Sequence, residues 1–143
     1  MTIENITDVY TMLYQTMDVV ESQIKKVVTP YGLNCNEYEI LKYIYRNGDQ
    51  PIQKIGEEIK VTSGSMTYLI DKLEKKGYVT RRPCDSDRRI LYGTLSDTGK
   101  ELMEEVIPEC SLSINSVLGD FPEDELNQAM ATLAKIKNKK AVV

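Results

Sequence analysis

Apolar residues recur at steps of three and four over residues 3–28, a spacing that places them on one face of an α-helix. Pro30, Tyr31 and Gly32 then interrupt the pattern. The sequence therefore predicts a long amphipathic first helix over about 3–28. The positions of its stripe are Ile3, Ile6, Val9, Leu13, Met17, Val20, Ile24 and Val27.

Two shorter helices are predicted next. The second is expected to begin at a cap on Asn36 and to end near Asn47-Gly48. Its expected buried side consists of Tyr38, Leu41, Ile44 and Tyr45. Pro51 leads into a third helix, with Ile52, Ile55 and Ile59 at helical spacing.

A fourth helix is predicted over about Ser63–Lys76, with Thr62 or Ser63 as its cap and Gly77 just beyond its end. Its apolar stripe is Met66, Leu69, Ile70 and Leu73. Two short helices joined by a tight turn are typical of a helix-turn-helix unit.

Two short strands follow, over Tyr78–Pro83 and Ile90–Leu95, because both segments are rich in Val, Tyr, Ile, Leu and Thr. The connection between them is almost wholly polar. It contains Arg88 and Arg89, with Asp87 two residues before Arg89. This spacing allows the carboxylate to hold the guanidinium in a bidentate geometry.

The remaining residues are predicted to be helical. A helix begins near Asp97, capped by Ser96 or Asp97, and Pro108 is expected to kink or split it. A last helix begins near Pro122, with proline at its first position. The apolar stripes of this region are Leu102, Val106, Cys110, Ile114, Val117, Leu118 and Phe121, then Leu126, Met130, Leu133 and Ile136. The fold class is mainly α with a small β-hairpin (α+β), in the order α-α-α-α-β-β-α-α.

Composition narrows the class of protein. The 143 residues suffice for one domain, which we expect to span 1–143, and 41% of them are hydrophobic and 28% charged. No apolar run is long enough to span a bilayer, and the first residues do not form a secretion signal, so we expect a cytoplasmic protein without a membrane partner.

Enzyme chemistry is disfavoured by the residues available. The chain has no histidine, which removes the commonest general base, and its three cysteines have no metal-site or disulfide spacing. We therefore expect neither an enzyme nor a bound metal or cofactor.

The net charge of −4 conceals two regions of opposite sign. Residues 71–89 contain seven basic and four acidic side chains, a net of +3, whereas residues 97–125 contain one basic and nine acidic side chains, a net of −8. A local basic footprint of this kind indicates nucleic-acid binding.

The polar face of the fourth helix has the chemistry of a duplex-reading surface. Short hydroxyl side chains at a helix N-terminus permit close approach to phosphates and base edges. The residues concerned are Thr62, Ser63, Gly64, Ser65, Thr67, Tyr68 and Lys72. Arg88 and Arg89, at the tip of the hairpin, would reach along the duplex as a wing does, and arginine in a narrow minor groove favours A·T tracts.

Two segments resemble the MarR type of regulator (multiple antibiotic resistance regulator family). Residues 55–79 are similar to its recognition region, and Asp87-Arg88-Arg89 followed by Leu95-Ser96 and Gly99 is similar to its wing signature, with serine in place of the usual threonine. Tyr68 stands where many members have arginine. The resemblance implies a winged helix-turn-helix in which the fourth helix reads the major groove, Arg89 enters the minor groove and Asp87 positions it.

About half of the chain lies outside the DNA-binding core predicted at about 34–97. The outer helices, at about 3–28 and 98–139, have more apolar surface than that core can cover, so we expect a two-fold homodimer on a pseudo-palindromic operator. The resemblance implies the same dimer and a transcriptional regulator, expected to act as a repressor.

The resemblance implies two modes of sensing, and the residues leave both open. A small aromatic or phenolic effector is one, with Met12, Met17, Tyr31 and Tyr38 as candidate pocket residues. Thiol modification is the other, at Cys35, where the start of the second helix would lower the pKa, or at Cys84 on the wing.

Another class of function is a winged-helix module that binds protein instead of DNA, although such a module would expose aromatic side chains where this chain has small polar ones. An enzyme is a more distant alternative.

Overall fold

The computed structural model describes residues 2–139, except for the side chain of Ile3, so that this member of the first stripe lies outside the described residues. The chain is mainly helical, with a small antiparallel sheet. Its elements are α1 (Ile3–Val28), a 3₁₀ turn (Thr29–Tyr31), α2 (Cys35–Asn47), β1 (Gln50–Pro51), α3 (Ile52–Ile59), α4 (Ser63–Lys75), β2 (Val79–Pro83), β3 (Leu91–Leu95), α5 (Asp97–Leu118) and α6 (Glu123–Lys137).

The two ends of α1 lie in different environments. Its C-terminal part packs along α5, where Val28 is buried and Ser113 of α5 donates a hydrogen bond to the carbonyl of Gln23. Its N-terminal part is exposed, including the apolar side chains of Ile6, Val9 and Leu13. Half of the predicted stripe is therefore uncovered in a single chain.

The start of α2 differs from the prediction. Asn34, not Asn36, caps the helix: its side chain accepts a hydrogen bond from the amide of Glu37, and the Glu37 carboxylate accepts one from the amide of Asn34. This reciprocal capping box satisfies two otherwise unpaired donors, which fixes the helix start one turn before Glu37. Tyr45, predicted to be buried, is exposed, and Ile40 is buried instead.

The core lies where α2, α3, α4 and α5 meet the sheet. All four members of the α4 stripe are buried, as predicted. Gly77, just beyond the end of α4, has a left-handed φ of 81°. Close packing of α3 against α4 depends on Gly56, because a Cβ there would lie 2.7 Å from the Met66 side chain.

Within residues 2–139 the sheet has three strands, not the two predicted. β3 is central, with β1 and β2 on either side, and all neighbours are antiparallel. The additional strand pairs Gln50 with Gly93 and Pro51 with Tyr92. It is only two residues long, too short for an alternating pattern to reveal.

Helix α5 begins after Ser96, whose side chain accepts a hydrogen bond from the amide of Gly99. The helix continues through Pro108, so the expectation that this proline could split it is wrong. Proline leaves the carbonyl of Glu104 without its helical donor, but both residues are exposed, so water can solvate that carbonyl.

Helix α6 begins at Glu123, with Pro122 in the cap position and not at the first helical position as predicted. None of its side chains is buried; Met130, Leu133 and Ile136 are all exposed. No helix within residues 2–139 is long and apolar enough to cross a membrane.

Candidate nucleic-acid interface

Helix α4 presents a polar face that its packing leaves open. The residues buried from α4 lie on one side, while Ser63, Gly64, Ser65, Thr67 and Tyr68 are exposed. The space beyond Gly64 is free, with no heavy atom within 4 Å of a Cβ built on it. The exposed face therefore combines hydroxyl donors with a position where another backbone can approach closely.

The N-terminus of α4 is formed by Thr62. Its hydroxyl oxygen accepts a hydrogen bond from the amide of Ser65 at 3.4 Å, and its own proton is donated to the Ser65 hydroxyl at 3.0 Å. Capping fixes Thr62 in an extended conformation just outside the helix. The cap takes up the amide of Ser65, which leaves the amides of Ser63 and Gly64 at an exposed helix end, the feature of an anion-binding helix terminus.

Arg81 on β2 links α4 to the wing, which is the hairpin formed by β2, β3 and the loop between them. Its guanidinium donates to Asp71 at 2.6 Å and to Glu74 at 2.7 Å, both on α4. It also donates to the carbonyl of Thr67 at 3.4 Å. Because one planar group bonds three points on α4, the orientation of that helix relative to the hairpin is fixed. The sequence placed Arg81 among the basic residues but gave no sign of this internal role.

The C-terminal end of α4 is held by a buried carboxylate. Glu37 of α2 is 1% exposed, and it accepts a hydrogen bond from Lys76 Nζ at 2.7 Å. Lys76 Nζ also donates to the carbonyl of Gly32 at 2.7 Å. Lys72 Nζ lies 4.0 Å from the same carboxylate and 5.5 Å from the ring centre of Tyr68.

The turn that follows α4 is also bonded by the residue that caps α5. Ser96, which caps α5, donates its hydroxyl proton to the carbonyl of Gly77 at 2.6 Å, and its amide donates to the carbonyl of Tyr78 at 3.0 Å. The hydroxyl at position 96 thus has two partners, one in α5 and one in the turn after α4. Threonine would supply the same hydroxyl.

The wing loop holds one arginine in a fixed geometry. Arg89 Nε and NH2 donate to the two carboxylate oxygens of Asp87, each at 3.1 Å, and the Arg89 amide donates to the same carboxylate. The predicted bidentate pair is therefore confirmed. The Arg89 side chain is nevertheless 90% exposed, and its guanidinium keeps the pKa of Asp87 below its ordinary value. The charge is oriented by Asp87 and still accessible.

Internal pairs reduce the basic footprint counted from sequence. Lys76 and Arg81 are bound to acids as described, and Arg82 lies 3.4 Å from Asp49 and over the ring of Tyr92. Arg88 has no ion-pair partner among residues 2–139. The accessible positive charge of residues 71–89 therefore lies at the tip of the wing, on Arg88 and Arg89, and on Lys72 and Lys75 of α4.

A groove of about 640 Å³ runs between α3, α4 and the wing. Thr67 and Arg89 line it from two sides, together with Gln53 and Lys54 of α3. These two α3 residues were not among the predicted site residues. Their exposed position opposite the apolar residues of α3 was the available signal.

The four candidate effector residues are not brought together within one chain. Met12 and Met17 are exposed on α1, whereas Tyr38 is buried in the core. Tyr31 is half-buried and donates its phenolic proton to Glu109 at 2.8 Å, with Glu105 at 3.2 Å, which raises the pKa of that phenol. The cavity that includes Met12 is lined by none of the other three.

The cysteines differ in their chemistry. The prediction for Cys35 is wrong in its direction: its pKa is raised, first by burial and then by the nearby charge of Glu21. Burial also raises the pKa of Cys110. On the wing, Cys84 has a lowered pKa, because Ser86 lies 3.2 Å from its sulfur and the backbone amides of Ser86 and Asp87 also bond it.

Comparison with known proteins gives a consistent result. Residues 33–91 match the model of the MarR family. The HTH-type transcriptional regulator MhqR of Bacillus subtilis is 29% identical over 133 residues, which cover 93% of this chain and 92% of that protein.

Solved structures share the whole architecture. CouR from Rhodococcus jostii RHA1 bound to p-coumaroyl-CoA superposes with a TM-score of 0.85 at 21% identity, covering 95% of this chain and 96% of that one. Reduced AbfR bound to DNA superposes with a TM-score of 0.76 at 22% identity, covering 94% and 92%. At this identity the likeness shows a common winged-helix fold.

Proposed function

The chain belongs to the MarR family of DNA-binding transcriptional regulators, and on this premise we propose that it is a homodimeric repressor of a pseudo-palindromic operator. The observation that carries the proposal is the pairing of an exposed hydroxyl-rich face on α4 with an oriented, accessible Arg89 on the wing. These two surfaces match the two grooves of a duplex, the helix the major groove and the arginine the minor groove.

The residues proposed to contact DNA fall into two groups. Those of α4 and its cap approach base edges and phosphates; they are Thr62, Ser63, Gly64, Ser65, Thr67, Tyr68 and Lys72. Arg88 and Arg89 of the wing supply charge, and Asp87 orients Arg89. The structure of reduced AbfR bound to DNA supports a duplex as the partner of this fold.

The homodimer is proposed from the uncovered outer helices. An apolar cleft of about 490 Å³ lies between α1 and α6, lined by Val9, Leu13, Leu133 and Ile136 among others. Apolar residues exposed along two helices in this way are typical of a surface covered by a partner. A second copy would cover both helices and present two α4 helices about one DNA turn apart.

Selection from a random duplex pool tests the DNA-binding proposal. The purified protein is expected to enrich a pseudo-palindrome with two half-sites about one helical turn apart. The Arg89→Ala variant serves as the matched control and should recover fewer duplexes at the same salt concentration. Recovery of no common sequence by the wild type would overturn the proposal.

Release of DNA is proposed to follow binding of a small phenolic ligand between the outer helices and the winged lobe. Met12, Met17, Tyr31 and Tyr38 are the residues proposed to meet it. CouR, whose structure contains p-coumaroyl-CoA, supports an aromatic acyl group as a ligand of this fold. Such a ligand releases DNA only if it binds the DNA-incompetent arrangement more tightly.

Thiol modification is the competing release mode, and Cys84 is favoured over Cys35 because only the former has a lowered pKa. A variant with all three cysteines replaced by serine separates the modes. If release by simple phenols persists with normal affinity for DNA, the ligand mode stands. If release by any trigger is lost while affinity is unchanged, the cysteines are the sensor.

A further inference from the structure

One buried carboxylate connects three separate parts of the chain. Glu37 caps α2 by accepting from the amide of Asn34, and it binds Lys76 at the end of α4. Lys76 in turn donates to the carbonyl of Gly32, in the turn that joins α1 to α2. The end of the proposed reading helix is therefore bonded to the connection from the first outer helix.

The Glu37–Lys76 ion pair is not required for stability, because apolar side chains could fill the same space. A buried ion pair costs desolvation energy, and hydrophobic residues of similar volume often stabilise a protein as well or better. Such a pair does, however, specify one geometry, because the charges must meet each other. Glu37 is 1% exposed and the Lys76 side chain 29% exposed, so the carboxylate is shielded from water while the ammonium is only partly covered.

The Glu37–Lys76 ion pair lies at the opposite end of α4 from the residues proposed to contact DNA, so a small change in its geometry has a large effect at those residues. The 13 residues of α4 span about 20 Å, and the anchor lies at the C-terminal end, while the exposed hydroxyl residues lie at the N-terminal end. A tilt of about 10° about the anchor therefore moves the reading end by about 3 Å. Displacement on that scale is comparable to the rise of one base pair.

We propose that Glu37, acting through Lys76 and Gly32, is a positioning residue that sets the angle of α4 relative to the outer helices, and thereby the half-site spacing that the dimer accepts. The inference rests on the proposed function. Glu37 touches no DNA in this scheme; its effect on the spacing preference is through the placement of α4, whereas its contact with Lys72 affects the affinity for both spacings alike.

The test compares three chains. Glu37→Gln/Lys76→Met removes both charges, retains an acceptor for the capping box, and avoids leaving either charge buried alone. Lys75→Met removes the same positive charge from the preceding residue, which is exposed and takes no part in the Glu37–Lys76 ion pair. Dissociation constants are measured for operators whose half-sites are at the selected spacing or one base pair further apart.

Wild type is expected to prefer the selected spacing by about tenfold, and the double variant should lose most of that preference. Lys75→Met should weaken both operators equally and keep the preference. A folded double variant that retains the wild-type preference would overturn the inference. Loss of thermal stability alone changes the folded fraction and not the ratio between two operators.

A measurement without DNA separates this inference from the proposed function. Spin labels are attached at Gly64→Cys, where the space for a side chain is free, in a chain whose three native cysteines are replaced. The distance between the two labels of a dimer should have a broader distribution in the double variant and be unchanged by Lys75→Met. If wild type binds no operator but this broadening is seen, the DNA-binding proposal fails while the positioning role stands. An unchanged distribution would overturn the positioning role.

Discussion

Gly99, in the first turn of α5, lies directly against the carbonyl oxygen of Tyr78, so closely that a Cβ at position 99 would overlap with it. The contact is to backbone, which has no rotamer by which to move aside. The glycine of the wing signature therefore has a steric reason, because it lets α5 approach the turn after α4 that Ser96 also bonds.

Gly99→Ala is expected to destabilise the protein by about 1–3 kcal/mol, because the new methyl group forces the backbone of this turn to shift. Thermal or denaturant unfolding measures the effect. Gly64→Ala is the control: it is also helical but has open space, and alanine favours helix, so no loss is expected. Equal stability of the two variants would contradict the close approach.

Arg89→Ala is expected to weaken operator binding by about 1–3 kcal/mol and to make the salt dependence shallower, since one charge leaves the interface. Titrations at several salt concentrations check this. Lys135→Ala, on α6, removes an equal charge far from the wing and should have little effect. Asp87→Ala should weaken binding less than Arg89→Ala, because it frees the guanidinium without removing it.

Asp87 should titrate below the ordinary range of aspartate, because Arg89 stabilises its charged form and so lowers its pKa. The pair therefore persists above the ordinary aspartate pKa and is lost only as the pH falls through the lowered one. Carboxyl chemical shifts followed by NMR report the midpoint. In Arg89→Ala the midpoint should rise toward the ordinary value; an unchanged midpoint would rule out the pair in solution.

Leu133→Asp is expected to reduce dimerisation and, with it, affinity for DNA, because a charge would be placed in the apolar cleft between α1 and α6. Sedimentation measures the association state, and wild-type unfolding should depend on protein concentration. Tyr45→Asp, at an exposed apolar residue of α2, should leave the dimer intact. A wild-type monomer at micromolar concentration would refute the dimer.

Cys84 should be alkylated faster than Cys35 and Cys110. Its lowered pKa gives it the largest thiolate fraction at neutral pH, whereas burial raises the pKa of the other two. Mass spectrometry after timed reaction with iodoacetamide gives the order. Ser86→Ala removes the main stabilising hydrogen bond and should slow the reaction of Cys84 alone. Faster labelling of Cys35 would contradict the assigned environments.

Apolar periodicity was sufficient to predict the helices. In α2 to α5 the core imposes burial of one face, whereas in α6 the same regular pattern lies on an exposed helix. In α4, Met66, Leu69, Ile70 and Leu73 are all buried as predicted. Turn chemistry was similarly informative, since the left-handed conformation at Gly77 favours glycine. The Asp87–Arg89 pair could also be predicted, because its two residues lie close together in one short loop.

Features that depend on contacts between distant segments were missed. Glu37 reads as a surface acid, and its burial follows only from Lys76, 39 residues later. Charge counting treated Arg81 as free because its partners become close only after folding. For Cys35, burial and Glu21 outweigh the helix start, and neither can be seen from the neighbouring sequence.

The separation of the wing from the outer helices has a genetic consequence. A chain with Arg89→Ala keeps every residue of α1 and α6, so in the proposed dimer it would pair with normal chains as readily as they pair with each other. Each mixed dimer would have only one intact DNA-binding surface, whereas an operator has two half-sites. Expression of that allele beside the normal one should therefore derepress the target promoter, and the mutation is expected to be dominant.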